Sequence, residues 1–120
     1  MILLFILHFV ADFVLQPRKM GRMKSTHIGW LLAHVFIQFI VFFPFTGLKF
    51  AACNALIHGV IDGSVWNIYK AVCLMRFPGL RDQKIGALYK FWEDDLFYKT
   101  IGFDQMLHGL TLIYLSGIFL

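Results

Sequence analysis

Apolar residues fall into four long blocks along the chain, and polar residues enter those blocks at regular intervals. The blocks are residues 1–16, 28–43, 48–66 and 103–120. Each is at or near the roughly 20 residues that a helix needs to cross a bilayer, and snorkelling of Arg18 and Lys19 extends the first. Pro17 closes block one and Pro44 closes block two, because proline has no N–H to donate and clashes with the preceding turn. A tight Pro44-Phe45-Thr46-Gly47 turn leads into block three. The 17–27 link is polar. The 67–102 link breaks at Phe77-Pro78-Gly79 and then carries Leu88, Phe91, Trp92 and Leu96 at helical spacing over 82–100. That pattern predicts an amphipathic helix lying at a membrane surface.

Within the blocks the polar positions are spaced as on helices. His8, Asp12 and Gln16 stand four apart and share one helical face. His58 and Asp62 repeat the spacing, and Asp104 and His108 repeat it in reverse order. His34 sits inside block two. Ionisable groups in an apolar helix are costly, which marks them as a functional-site hypothesis.

Composition turns these blocks into a class. At 120 residues the chain is a single domain. A hydrophobic share of 59%, a charged share of 15% and a mean hydropathy of +0.71 exceed what a soluble core of this size can bury. No basic residue precedes the first apolar run and no small-residue cleavage site follows it, so block one reads as retained rather than as a signal peptide. The expected fold class is all-α: a polytopic membrane protein, built as a four-transmembrane-helix bundle in one transmembrane domain, with an interfacial amphipathic helix between spans three and four.

Charge adds an orientation. Ten of the eleven Lys and Arg residues lie in the 17–27 and 67–102 links. By the positive-inside rule both links are cytoplasmic and both termini outside, in a multi-pass bacterial inner-membrane protein. The net charge of +4 thus speaks for orientation and not for a nucleic-acid partner. Cys53 and Cys73 lie about 30 Å apart along a helix, beyond disulfide reach, and are expected to be thiols.

With this orientation the reversed order at Asp104 and His108 acquires a meaning. Block four runs opposite to blocks one and three, so every pair places its aspartate on the cytoplasmic side of its histidine. His8, His34, His58 and His108 then share a layer roughly 8–13 Å below the inner surface, counted at 1.5 Å per residue.

Carboxylates in such a layer need neutralising from within, and a divalent cation does so most simply. The expected ligands are His8, Asp12, His34, His58, Asp62, Asp104 and His108. Imidazole and carboxylate together suit zinc first, with manganese, iron or nickel as alternatives. Seven donors exceed the four of a single zinc site, so either two metals bind or some residues orient the others. Gln16, Gln38 and Gln105 are placed to act as such orienting partners. A metal-free His–Asp network that ties helices together, and a proton or ion path, are the competing readings. Phe36, Phe39, Phe42 and Phe43 are expected to face lipid, His27 to be a solvated link residue, and Gly59 and Gly63 to allow close helix approach, including in a homodimer.

The ordered motifs His8-Phe9-Val10-Ala11-Asp12-Phe13-Val14-Leu15-Gln16, His34, His58-Gly59-Val60-Ile61-Asp62 and Phe103-Asp104-Gln105-Met106-Leu107-His108, with a basic link containing Lys24, resemble a family of small bacterial and phage membrane proteins of unknown function. The resemblance covers nearly the whole chain, and residues 68–102 lie outside its motifs. A looser likeness is to membrane-bound metal-dependent hydrolases with intramembrane His and Asp residues, which implies hydrolysis of a lipid or membrane-associated ester or phosphoester. In that reading Asp104 or Asp12 serves as base, and Lys84, Lys90 and Lys99 bind anionic headgroups. A proton or metal-ion transporter, and a non-catalytic phage protein that binds a host partner through 68–102, are the alternatives.

Overall fold

The computed structural model describes residues 1–16, 20, 27–76 and 95–120. Three helical stretches dominate them, and the described chain is all-α. Helix α1, Ile2–Phe9, continues into one π-helical turn over Val10–Val14. Its marker is the Leu15 N–H, which donates to the Val10 carbonyl five residues back at 2.9 Å. Helix α2, Ile28–Arg76, is interrupted only at Gly47, and α3 spans Asp95–Phe119.

Gly47 has φ 83° and ψ 173°, a conformation open essentially to glycine alone. The chain reverses there. A straight 49-residue helix would be about 73 Å long, whereas the longest extent of the molecule is 48 Å. The two arms of α2 therefore lie side by side, with Phe42 stacked on Phe50 at 6.0 Å between ring centres and His34 against His58. Close approach depends on Gly59, where a Cβ would stand 2.7 Å from Val35 Cγ2 of the facing arm. Helix α3 runs antiparallel to the second arm. Phe97, near its start, meets Trp66 and Tyr69, and His108, further on, meets Asp62 and His58. Near the reversal, Leu4, Leu7, Phe42, Phe50, Ala51, Leu112 and Leu115 close into a buried apolar cluster.

The four-span bundle expected from the block pattern is not what forms. Among the described residues one helix, Ile28–Arg76, is long and apolar enough to cross a membrane. This run holds blocks 28–43 and 48–66 as its two arms, reversed on one another at Gly47. It passes through Pro44, breaks three residues later at Gly47, and continues to Arg76. The physical reason is that proline weakens a helix by one hydrogen bond and a local clash, which neighbouring packing can offset, whereas the Gly47 backbone leaves the helical region altogether. The first apolar helix, Ile2–Val14, is shorter. At 1.5 Å per residue it covers about 20 Å, less than a bilayer core. Of the surface helix expected over 82–100, only the last six residues are described. Residues 95–100 are the first turns of α3 itself, and 82–94 lie outside the described residues, as do most residues of the two links on which the orientation rested.

One smaller expectation also changes. Phe42 does not face outward with Phe36 and Phe43, since it is fully buried against Phe50. The close approach at Gly59 is made to Val35 of the same chain. Cys53 and Cys73 are not joined by a disulfide.

Candidate metal centre

The molecule is apolar outside, and its interior holds a polar group beside the apolar cluster. Ile2, Phe9, Phe13, Leu32, Phe36, Leu56 and Val60 are exposed, whereas His8, Asp12, His34, Gln38, His58, Asp62, Asp104 and His108 are buried. Every lysine and arginine among the described residues is at least partly exposed. The interior thus holds three carboxylates and four imidazoles in one place, a set that no lysine or arginine is buried with. All seven residues that the sequence marks are in it.

Four of their atoms form a compact tetrahedron. His34 Nε2 lies 3.0 Å from Asp12 Oδ1, 3.1 Å from Asp62 Oδ2 and 2.8 Å from His58 Nε2. His58 Nε2 lies 3.1 Å from the same Asp12 oxygen and 3.2 Å from the same Asp62 oxygen. Protons alone do not account for this arrangement. An imidazole nitrogen carries at most one hydrogen, so two nitrogens can serve no more than two of these contacts. The remainder set lone pair against lone pair. A cation at the centre turns every one of those lone pairs into a ligand. Tetrahedral zinc with ligands at 2.0–2.1 Å requires edges of about 3.3–3.4 Å; the five edges above, 2.8–3.2 Å, are all shorter than that, the His34–His58 edge most.

Local structure delivers these atoms from three places. His34 comes from the first arm of α2, and His58 and Asp62, one turn apart, come from the second. Asp12 comes from the π-helical turn after α1. Such turns insert one residue and re-aim side chains, and they recur at functional sites. Gln38, one turn beyond His34, donates to Asp12 Oδ1 at 3.1 Å.

A second group adjoins the first. His108 Nε2 lies 3.2 Å from Asp62 Oδ1 and 3.4 Å from Asp104 Oδ2, and Asp62, Asp104 and His108 are close enough together to hold an ion. The His58 and His108 rings stack at 3.9 Å between centres. Gln105 ties this group to α1: its amide donates to Asp12 Oδ2 and to Asp104 Oδ2, each at 3.3 Å. Its carbonyl lies 3.0 Å from His8 Nε2 and can only accept, so His8 donates there. That bond occupies the His8 nitrogen and makes His8 an orienting residue rather than a ligand in this arrangement. Gln105 and Gln38 hold the orienting positions that the spacing suggests. Gln16 Oε1 is buried without a hydrogen bond among the described residues. His27 is exposed.

The sequence pattern does not reveal the division of labour between the two Asp62 oxygens, or that His8 turns toward Gln105. Both depend on how α3 packs against α1 and α2, which helical spacing within one segment does not encode.

Fold and site together define an all-helical protein with a buried His/Asp centre that could hold a metal ion. The whole chain, residues 1–120, matches a family described as "Protein of unknown function (DUF3307)", and the protein belongs to that family. No curated protein and no solved structure matches it, so the looser likeness to metal-dependent hydrolases gains no support from a relative.

Proposed function

We propose that this chain is a membrane protein that binds divalent transition metal, zinc first, and hydrolyses an ester or phosphoester of a lipid or membrane-associated substrate. The observation that carries the metal reading is the tetrahedron of Asp12 Oδ1, His34 Nε2, His58 Nε2 and Asp62 Oδ2, whose contacts exceed the hydrogens available to them. A membrane setting is supported by one helix long and apolar enough to cross a bilayer, and by the apolar exterior around an interior that holds a polar group. An inside-out distribution of this kind is costly in water and favourable in lipid.

A bound divalent cation would supply Lewis acidity and an acidified water. The protein's own residues would orient and exclude. Gln38 and Gln105 fix the carboxylates, and the apolar cluster of Leu4, Leu7, Phe42, Phe50, Ala51, Leu112 and Leu115 closes the side of the centre toward Gly47. That closure favours chemistry in a pocket over passage through the protein, since an ion path needs polar groups continuing to the far side. Asp104 carries a buried oxygen, Oδ1, without a hydrogen bond among the described residues, and suits the role of base.

The test is elemental analysis of detergent-purified protein prepared without chelator, with chelator-sensitive hydrolysis assayed on lipid esters and phosphoesters. Stoichiometric metal and metal-dependent turnover support the reading. Folded protein that contains no transition metal, and whose melting temperature ignores added zinc or manganese, overturns it. Metal-ion flux in proteoliposomes without hydrolysis would replace the enzyme with a transporter.

A further inference from the structure

We infer that Asp62 bridges two divalent cations. One is held in the tetrahedron with Asp12, His34 and His58, and the second by Asp62, Asp104 and His108. The inference rests on the metal reading above and deepens it.

The two oxygens of Asp62 face opposite groups. Oδ2 lies 3.1 and 3.2 Å from the His34 and His58 nitrogens, whereas Oδ1 lies 3.2 Å from His108. A carboxylate so placed spans two positions at the separation of about 3.5–4 Å found in two-metal centres. Asp12 cannot play this part. Its Oδ1 joins the tetrahedron, and its Oδ2 faces His8 and Gln105, so Asp12 belongs to the first group alone. The His58 and His108 rings stack at 3.9 Å, with His58 Nε2 on Asp62 Oδ2 and His108 Nε2 on Asp62 Oδ1. Asp104 adds a carboxylate to the second group.

The two positions differ in kind. The first has four protein donors, which fill a tetrahedral ion. The second has three, which leaves room for water and for an oxyanion. It is the weaker and the more open of the two, so a phosphoester is the substrate class that the pair fits best.

The experiment uses the full chain in detergent, stripped with chelator, repurified and titrated with Mn2+ alone. The inference expects two equivalents per chain, with the second weaker by tenfold or more. Electron paramagnetic resonance of the doubly loaded protein is expected to show exchange-coupled manganese. His108→Ala and Asp104→Asn are each expected to retain one equivalent with an uncoupled six-line signal. A wild-type chain that binds one equivalent, uncoupled, and behaves as His108→Ala does overturns the bridge and leaves the single-metal reading standing. A wild-type chain that binds none overturns both. Should the variants not fold, the stoichiometry and coupling of the wild type decide the matter on their own.

Discussion

His34 Nε2 and His58 Nε2 lie 2.8 Å apart across the reversal in α2, and both touch the same oxygen of Asp12 and the same oxygen of Asp62. Either imidazole could be satisfied by one carboxylate, but the pair cannot satisfy all of these neighbours with protons. Removing one nitrogen should therefore remove the ion. His34→Ala is expected to abolish binding at the tetrahedral position and to leave only the chelator sensitivity of melting that the second group supplies. The wild type should lose several degrees on metal removal, since a ligand at a hundred times its Kd contributes about 2.7 kcal/mol. Thermal melts of both proteins with and without EDTA, alongside metal content, check this.

Gln105 makes three polar contacts at once, to His8, Asp12 and Asp104. It binds no ion itself in this arrangement, so Gln105→Ala is expected to preserve stoichiometry while weakening metal affinity by roughly 10–100-fold, the range found for partners that orient ligands. Competition with a chromophoric chelator measures it. A loss of a whole equivalent would make Gln105 a ligand instead.

Gly59 and Val35 define the closest approach of the two α2 arms. An added methyl at Gly59 would stand 2.7 Å from Val35 Cγ2, so Val35 or the arm itself must move. Overpacking of this kind costs about 1–3 kcal/mol. It should also disturb His58, the preceding residue. Gly59→Ala is expected to lower both the melting temperature and the metal affinity, and Val35→Ala in the same chain should restore most of each. Failure of the second change to rescue would place the clash elsewhere.

Gly47 carries the reversal itself. Its φ of 83° with ψ of 173° lies in a region closed to residues with a Cβ, and Gly47→Ala should cost about 1–3 kcal/mol although nothing stands within 4 Å of the added methyl. Denaturation midpoints in a fixed detergent give the difference. An unchanged midpoint would mean that the reversal adopts another backbone path.

Much of the centre was legible because side chains on one helix face repeat every three or four residues. His8 with Asp12, His58 with Asp62 and Asp104 with His108 declare themselves by spacing alone, and the reversed order in the last pair matches the antiparallel course of α3 against the second arm of α2. The point of the reversal within the Pro44–Gly47 turn was not legible. Pro44 looks like a terminus in sequence, yet the helix passes through it and yields only at Gly47, because tertiary packing outweighs the local loss of one hydrogen bond. The π-helical turn was equally hidden. Val10-Ala11-Asp12-Phe13-Val14 contains no glycine or proline to announce it.

The reversal at Gly47 has a bearing on how the protein comes together. Three of the four tetrahedral donors, His34, His58 and Asp62, reside on the two neighbouring arms of α2, so bringing them into register closes only a short loop, which is entropically cheap and kinetically quick. Asp12 stands 22 residues before His34, no farther than His58 stands after it, whereas the α3 donors begin 42 residues beyond Asp62. All four tetrahedral donors thus gather from one contiguous stretch, residues 12–62, and the α3 donors are the distant addition.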